Sequence, residues 1–315
     1  MHAPDVNSHS LYQSSPFLLE NIAQYTRWRE QKLTGYPTET AQLVVEVQDA
    51  TALTDEEYQA LLNLCCKTNM AVYRITAGDI SSKQVVRALG RRFGLERLDN
   101  NLCADEDAIT TLQVMNSGRH TAYIPYTNRP ISWHSDGYYN KPEEQIRGMI
   151  LHCVRNAAQG GDNLLLDHEI AYLHLRDTNP DYITALMHPR AMTIPPNNEG
   201  GEEIRAAQSG PVFSIDSQGN LHMRYTARTR SIVWREDKLT SEAVACMKAF
   251  MEDDSNPWIF RHRLQPGEGY LGNNVLHNRL AFADSEQQQR LLYRARYFDR
   301  IAHTDVMQCA TDSAA

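Results

Sequence analysis

The chain has 315 residues, of which 42% are hydrophobic and 22% charged, and its formal net charge is −8 at pH 7. This composition is ordinary for a globular protein with a sizeable core. The acidic balance argues against a nucleic-acid partner, because affinity for phosphate backbones depends on Lys and Arg. No apolar run approaches the roughly 18 residues that cross a bilayer. The first residues, MHAPDVNSHS, lack a basic segment followed by an apolar one. We therefore predict a cytoplasmic protein with no membrane partner.

The six cysteines include no C-x-x-C pair, and Cys65 and Cys66 are neighbours that cannot easily bridge each other. Metal-binding cysteines normally occur in such closely spaced pairs. We therefore predict reduced thiols, as is usual in the cytoplasm, and no structural zinc site.

The first 110 residues are predicted to form a mostly helical covering region. Helices are expected at 15–33, 54–69 and 80–93, and strands at 41–47 and 70–75. The middle helix has the clearest start, because Thr54-x-x-Glu57 is a capping box.

Residues 111–300 change in character, because short β-like runs follow one another between turn residues. Such runs favour a sandwich or barrel. Two short helices are expected within 168–188, and residues 190–210 include a Pro-, Gly- and charge-rich stretch that we interpret as a lid-like loop. The prediction is an α+β chain, mainly β with flanking helices, forming one domain over residues 1–315. The β-like runs are LQVM, TAYIPYT, ISWH, GMILHCV, NLLLD, PVFSI, LHMRYT, WIFRHRL, GYLGNNVLHNRLAF and RLLYRARYFD.

The stretch ISWHSDGYYN (131–140) places His134 and Asp136 two residues apart. On a strand, residues i and i+2 point to the same face. One imidazole and one carboxylate are two thirds of the facial triad of non-haem Fe(II) oxygenases. His277, at the end of a late apolar run, is the candidate for the third ligand, because a jelly-roll core brings distant strands together. The alternative is a polar strand end without a metal.

Three arginines, Arg290, Arg294 and Arg296, share one face of the last predicted strand. A buried arginine requires an anionic partner, and a guanidinium binds a carboxylate through two hydrogen bonds. A solvated edge strand is the alternative. Earlier in the chain, Gly160-Gly161 permits a tight turn, and Asn163 follows with an amide that can donate.

Taken together, WHSD, ILHCV, GGDN, NNVLHNR and RLLYRARYFD resemble the taurine dioxygenase (TauD/TfdA-like) superfamily, in pattern mostly its γ-butyrobetaine hydroxylase branch without the N-terminal zinc module. The resemblance implies a double-stranded β-helix (jelly-roll) core that uses Fe(II), 2-oxoglutarate and O2. It implies that the iron ligands are His134, Asp136 and His277. It also implies that Arg290 binds the distal carboxylate of 2-oxoglutarate, with Asn163 and Arg294 nearby.

The substrate pocket departs from that branch. Tyr126 matches one ring of its trimethylammonium site, but Arg296 replaces another, and a cation beside Arg296 would be repelled. We therefore expect a small polar or anionic substrate, hydroxylated with release of succinate and CO2. Tyr138, Tyr139 and Arg224 are further candidates for the pocket, with packing or a solvated surface as the alternatives.

Two other functions are compatible with the sequence. The same fold could bind a small acid without iron, or it could oxidise a peptide side chain. Whether the chain forms a homo-oligomer is left open.

Overall fold

The computed structural model describes residues 6–100, 107–115, 123–199, 201–228 and 232–312. The helices are α1 Val6–Gln13, α2 Ile22–Leu33, α3 Asp55–Thr68, α4 Gln84–Arg92, α5 His168–Thr178, α6 Pro180–Leu186, α7 Lys238–Glu252 and α8 Val306–Asp312. The strands of the first half are β1 Val44–Val47, β2 Met70–Ile75, β3 Thr110–Leu112, β4 Ile131–His134, β5 Gly148–Arg155, β6 Gln159–Gly160 and β7 Asn163–Leu166. Those of the second half are β8 Met192–Ile194, β9 Asn197–Glu199, β10 Glu202–Arg205, β11 Gln208–Gly210, β12 Phe213–Ile215, β13 Leu221–Met223, β14 Val233–Trp234, β15 Phe260–His262, β16 Glu268–Gly272, β17 Leu276–Arg279, β18 Phe282–Ala283 and β19 Leu291–Tyr297.

Two sheets carry the core. A six-stranded sheet has the order β1-β2-β16-β5-β19-β3, and a four-stranded sheet has the order β15-β7-β17-β4. Every pairing in them is antiparallel except that of β1 with β2. Strands β5 and β16 are buried along almost their whole length, as expected for strands in the middle of a packed sheet. The fold is α+β with a double-stranded β-helix core.

The N-terminal region contributes more than helices, because β1 and β2 extend the six-stranded sheet. Helix α3 begins at the predicted capping box: the Thr54 hydroxyl accepts from the Glu57 N–H, and the Glu57 carboxylate accepts from the Thr54 N–H. One apolar side of α3 then packs on the sheet through Leu61, Leu62 and Cys65.

Two predicted segments differ from the structure. The described part of TAYIPYT forms a short 3-10 turn at Ile124–Tyr126 in place of a strand, because Pro125 lacks the N–H that a sheet needs. Residues 195–210 are not an irregular loop, since β9 and β10 form an antiparallel hairpin and β11 pairs with β8. In the described residues, no helix has the length and apolarity needed to span a membrane.

The prediction that all cysteines are reduced was wrong. Cys66 on α3 and Cys309 on α8 form a disulfide, with Cα atoms 5.5 Å apart and a sequence separation of 243. The two cysteines meet because α8 packs on α3, so the spacing of cysteines in the sequence could not predict this disulfide. Cys65, Cys153 and Cys246 are free thiols, and Cys103 lies outside the described residues.

Candidate metal centre

The register of the four-stranded sheet brings the two predicted histidine ligands together. His277 on β17 lies directly opposite His134 on β4. Their ring centroids are 4.2 Å apart, and both side chains are largely buried. Directly paired residues project from the same face of a sheet, so both rings point to one side.

Both imidazoles are held in the tautomer that a metal requires. The Nδ1–H of His134 donates to the carbonyl of Ser132, and that of His277 to the carbonyl of Val275, each over 2.9 Å. The Nε2 atom of each ring therefore keeps its lone pair, which is the usual arrangement of metal-binding histidines. Burial, together with the neighbouring His277, lowers the pKa of His134 to about 3. Burial also lowers the pKa of His277.

Asp136 completes the group, although not in the predicted way. Strand β4 ends at His134, so Asp136 lies in the turn that follows. The turn requires a glycine next, because Gly137 has φ +69° and a Cβ atom there would lie 2.4 Å from the Ile146 side chain. The two residues are thus not neighbours on one strand face.

The Asp136 carboxylate has arginine neighbours and one oxygen without a partner among the described residues. Its Oδ1 atom lies 3.3 Å from Nη1 of Arg294 and 3.7 Å from Nε2 of His134. Burial would raise the pKa of Asp136, but Arg294 and Arg296 outweigh it and hold the pKa well below its ordinary value. Its Oδ2 atom is buried without a hydrogen-bond partner among the described residues.

One ligand atom from each of the three residues lies within 4.8 Å of the others. An orphaned carboxylate oxygen and two free imidazole nitrogens fit a divalent first-row metal ion. The three side chains singled out from the sequence therefore meet at one buried point.

A small cavity lies beside the last strand and is lined by Arg290, Asn163 and the Gly160–Gly161 turn. The turn glycines have φ of +68° and +81°, and the latter passes close to the Arg290 guanidinium. Within the described chain, no carboxylate lies within ion-pair distance of Arg290, which is 95% buried. Burial lowers its pKa to about 10. A buried guanidinium without a carboxylate partner is suited to binding an anionic ligand.

Arg279 was not singled out from the sequence. Its Nη1 and Nη2 atoms donate to the carbonyls of Pro125, Thr127 and Arg129, and no carboxylate pairs with it in the described structure. Burial, Arg290 and Arg294 lower its pKa to about 9. A clue existed, since this arginine stands two residues after His277 in an apolar strand.

Arg296 is already paired. It forms an ion pair with Asp99 and donates to the Tyr139 hydroxyl over 2.8 Å. The neighbouring Tyr138 ring stands edge-on to His134, with centroids 6.4 Å apart. Tyr138 therefore lies beside His134 and Tyr139 beside Arg296, and their contact with a substrate stays a prediction.

Arg224 and Tyr126 have a structural explanation. The Arg224 guanidinium donates to the carbonyls of Tyr138, Met192 and Gln208, which ties three segments together. Tyr126 is buried in the core. Contact of either residue with a substrate stays a prediction.

The hairpin over residues 197–205 adds Arg205, which the sequence did not single out. Its guanidinium lies 5.8 Å from the centre of the Tyr139 ring, and Arg296 lies 5.9 Å from the same ring. Arg205 donates to the carbonyls of Pro195 and Ala206, and no described carboxylate is within ion-pair distance. Burial lowers its pKa.

Two imidazoles and a carboxylate that face one point on a double-stranded β-helix are the arrangement of non-haem iron(II) oxygenases. Residues 31–296 match the family described as Taurine catabolism dioxygenase TauD, TfdA family. The chain belongs to that family.

Two curated relatives are uridine-5'-phosphate dioxygenases. The one from an Amycolatopsis species is 32% identical over 173 residues, which are 52% of this chain and 60% of the relative. The chain thus matches only three fifths of that protein's length. The one from a Streptomyces species is 26% identical over 219 residues, 67% of this chain and 77% of the relative.

Solved structures share the fold at low identity. The non-haem iron oxygenase OrfP in complex with Fe and alpha-ketoglutaric acid has a TM-score of 0.55 and 15% identity, covering 79% of this chain and 81% of OrfP. An asparagine oxygenase in complex with Fe(II), 3-hydroxyasparagine and succinate has a TM-score of 0.53 and 13% identity, covering 93% and 92%. These likenesses support the fold.

Proposed function

We propose that this protein is an Fe(II)- and 2-oxoglutarate-dependent dioxygenase that hydroxylates a small dianionic molecule, specifically a nucleoside 5'-monophosphate of the uridine-5'-phosphate type. The observation that carries the proposal is the buried meeting point of His134, Asp136 and His277, where one Asp136 carboxylate oxygen has no hydrogen-bond partner among the described residues. Iron and 2-oxoglutarate would together supply the oxidising chemistry, with O2 as the oxidant.

The residues of the chain would hold and orient the reactants. His134, Asp136 and His277 would bind the metal. Arg290 would bind the distal carboxylate of 2-oxoglutarate, and Asn163, which lines the same cavity, would support it. A guanidinium is suited to this task because it offers two parallel N–H donors to one carboxylate.

Charge favours an anionic substrate. Arg279, Arg290, Arg294 and Arg296 interact electrostatically with one another or with Asp136, while the carboxylates of Asp136, Asp99 and Asp284 interact with them. The guanidiniums outnumber the carboxylates. Because a divalent metal ion and the 2-oxoglutarate dianion cancel each other, an anionic substrate such as a phosphate monoester would balance the excess positive charge.

The geometry around Tyr139 supports the same substrate class. Arg205 and Arg296 both approach its ring, and only Arg296 has a carboxylate partner among the described residues. Arg205 is thus a half-buried cation without a carboxylate partner among the described residues, and it lies on the side of the centre that holds Tyr138 and Tyr139. We assign it to the phosphate end of the substrate. The names of the two curated relatives agree with this chemistry.

The test is succinate formation by anaerobically prepared protein supplied with Fe(II), 2-oxoglutarate and then oxygen. Uridine-5'-phosphate should stimulate 2-oxoglutarate consumption strongly, and uridine, which lacks the phosphate, should not. A panel of amino acids, sulfonates and phosphonates is the control for substrate class. Bound 2-oxoglutarate without any iron or turnover would favour a non-redox binding protein.

A further inference from the structure

Asp136 lies outside the sheet, so its carboxylate must be held in position by something other than strand pairing. His134 and His277 are fixed by the ladder of the four-stranded sheet, but Asp136 lies beyond the end of β4. The preceding residue is anchored, since the Ser135 N–H donates to the Tyr225 carbonyl over 3.0 Å. A metal ligand in a turn needs an equivalent constraint if its carboxylate is to face the two imidazoles before the metal arrives.

Asn274 provides that constraint. Its Oδ1 atom accepts from the N–H of Asp136 over 2.8 Å, and its Nδ2 atom donates to the carbonyl of Asp136 over 2.9 Å. A second hydrogen of Nδ2 goes to the Ile146 carbonyl over 2.6 Å. The buried Asn274 side chain thus hydrogen-bonds to both the N–H and the carbonyl of Asp136, at a sequence separation of 138.

The same short connection also orients a histidine ligand. Asn274 lies between β16 and β17, three residues before His277, and its neighbour Val275 offers the carbonyl that receives the Nδ1–H of His277. Asn274 itself has φ +51°, a left-handed conformation that asparagine adopts more readily than most residues. This conformation belongs to the turn that carries the amide to Asp136.

We propose that Asn274 is the positioning residue of the metal centre: its side-chain amide clamps the Asp136 peptide and so fixes the carboxylate opposite the His134–His277 pair. The inference rests on the proposed function, because it assumes that these three residues bind a metal. Asn274 does not touch the metal itself and acts through Asp136.

Metal affinity is the direct readout. Fe(II) or Co(II) dissociation constants are measured by competition with a chelator on Asn274→Gly, which removes the amide and tolerates the positive φ. Loss of such an outer partner weakens metal binding by roughly 10- to 100-fold.

The matched control is Asn273→Gly. Asn273 is equally buried and bonds to Asn69, Thr304 and the Ile301 N–H, none of which is a ligand. We expect the control to lower the melting temperature of the metal-free protein similarly and to leave the dissociation constant within about twofold.

A double-mutant cycle with Asp136→Ala separates positioning from general destabilisation. If Asn274 acts through the carboxylate, Asn274→Gly has no further effect on metal affinity once Asp136 is Ala. An unchanged affinity in the single variant, an equal loss in the Asn273 control, or additive losses in the cycle would each overturn the assignment. Should Asn274→Gly not fold, Asn274→Asp keeps the acceptor and loses the donor, and a smaller loss of affinity in the same direction is expected. Wild-type protein that binds neither metal refutes the proposed function itself, and the inference with it.

Discussion

The replacement Arg290→Gln tests the cosubstrate cavity most directly. Arg290 is 5% exposed and has no carboxylate within ion-pair distance in the described structure, whereas the proposed function places the distal carboxylate of 2-oxoglutarate against it. Removing one partner of a buried, hydrogen-bonded charge pair costs about 2 to 5 kcal/mol. At 1.36 kcal/mol per factor of ten, the KM for 2-oxoglutarate should rise by roughly 30- to 5000-fold.

The stability of the protein without cosubstrate should behave differently. Burial lowers the pKa of Arg290 to about 10, so the positive charge of its guanidinium is less favourable in the folded protein without cosubstrate than in water. The neutral variant should therefore unfold at the same temperature as the wild type or above it. Loss of affinity without loss of stability is expected of a residue kept for binding.

The assay is the rate of succinate formation against 2-oxoglutarate concentration, with thermal unfolding followed in parallel. Arg261→Gln is the control. Arg261 lies near the same glycine turn and pairs with Asp162 at 3.2 Å, but its side chain is 63% exposed. Exposed pairs contribute about 0 to 1 kcal/mol, so its KM should change less than about fivefold. An unchanged KM in Arg290→Gln would refute the assignment of this cavity to the cosubstrate.

Three further predictions follow from the structure. His277→Ala should abolish stoichiometric Fe(II) binding and lower succinate formation by more than about 100-fold, and iron retained at full occupancy would contradict the ligand set. Arg205→Ala should raise the KM for uridine-5'-phosphate by roughly 10- to 100-fold, the effect of one charge-assisted hydrogen bond, while Arg235→Ala on the surface should not; equal KM values would exclude Arg205 from the phosphate site. The buried Glu268 carboxylate accepts hydrogen bonds from His262, the Gln265 N–H and Arg74. Burial alone would raise its pKa, but these bonds lower it from 4.5 to about 2. The stabilisation is therefore complete above about pH 5 and is lost as the pH falls towards 2, by about 3 kcal/mol. Unfolding by urea at pH 6 and pH 3 should show this loss in the wild type and a smaller one in Glu268→Gln, and identical pH dependence would contradict it.

Local signals in the sequence determined much of the architecture. The capping box at Thr54 starts α3, and the short β-like runs identified most strands of both sheets. The sequence also supplied the types of residue that meet at the centre. The pair His134 and Asp136, the late His277 and the arginines of the last strand were each visible, because residue chemistry and periodicity are local properties. Their roles as ligands and anchors stay predictions until metal and cosubstrate binding are measured.

Tertiary structure alone decided how these residues are held. Sequence spacing placed Asp136 on a strand, but the strand ends at His134, and Asn274 positions the carboxylate from a turn 138 residues away. The carbonyl partners of Arg279 and the Cys66–Cys309 disulfide likewise became visible only when distant segments packed together. Hydrogen bonds between residues so far apart in the chain depend on sheet register and loop path. No short window of sequence encodes either, because both result from the packing of the whole core.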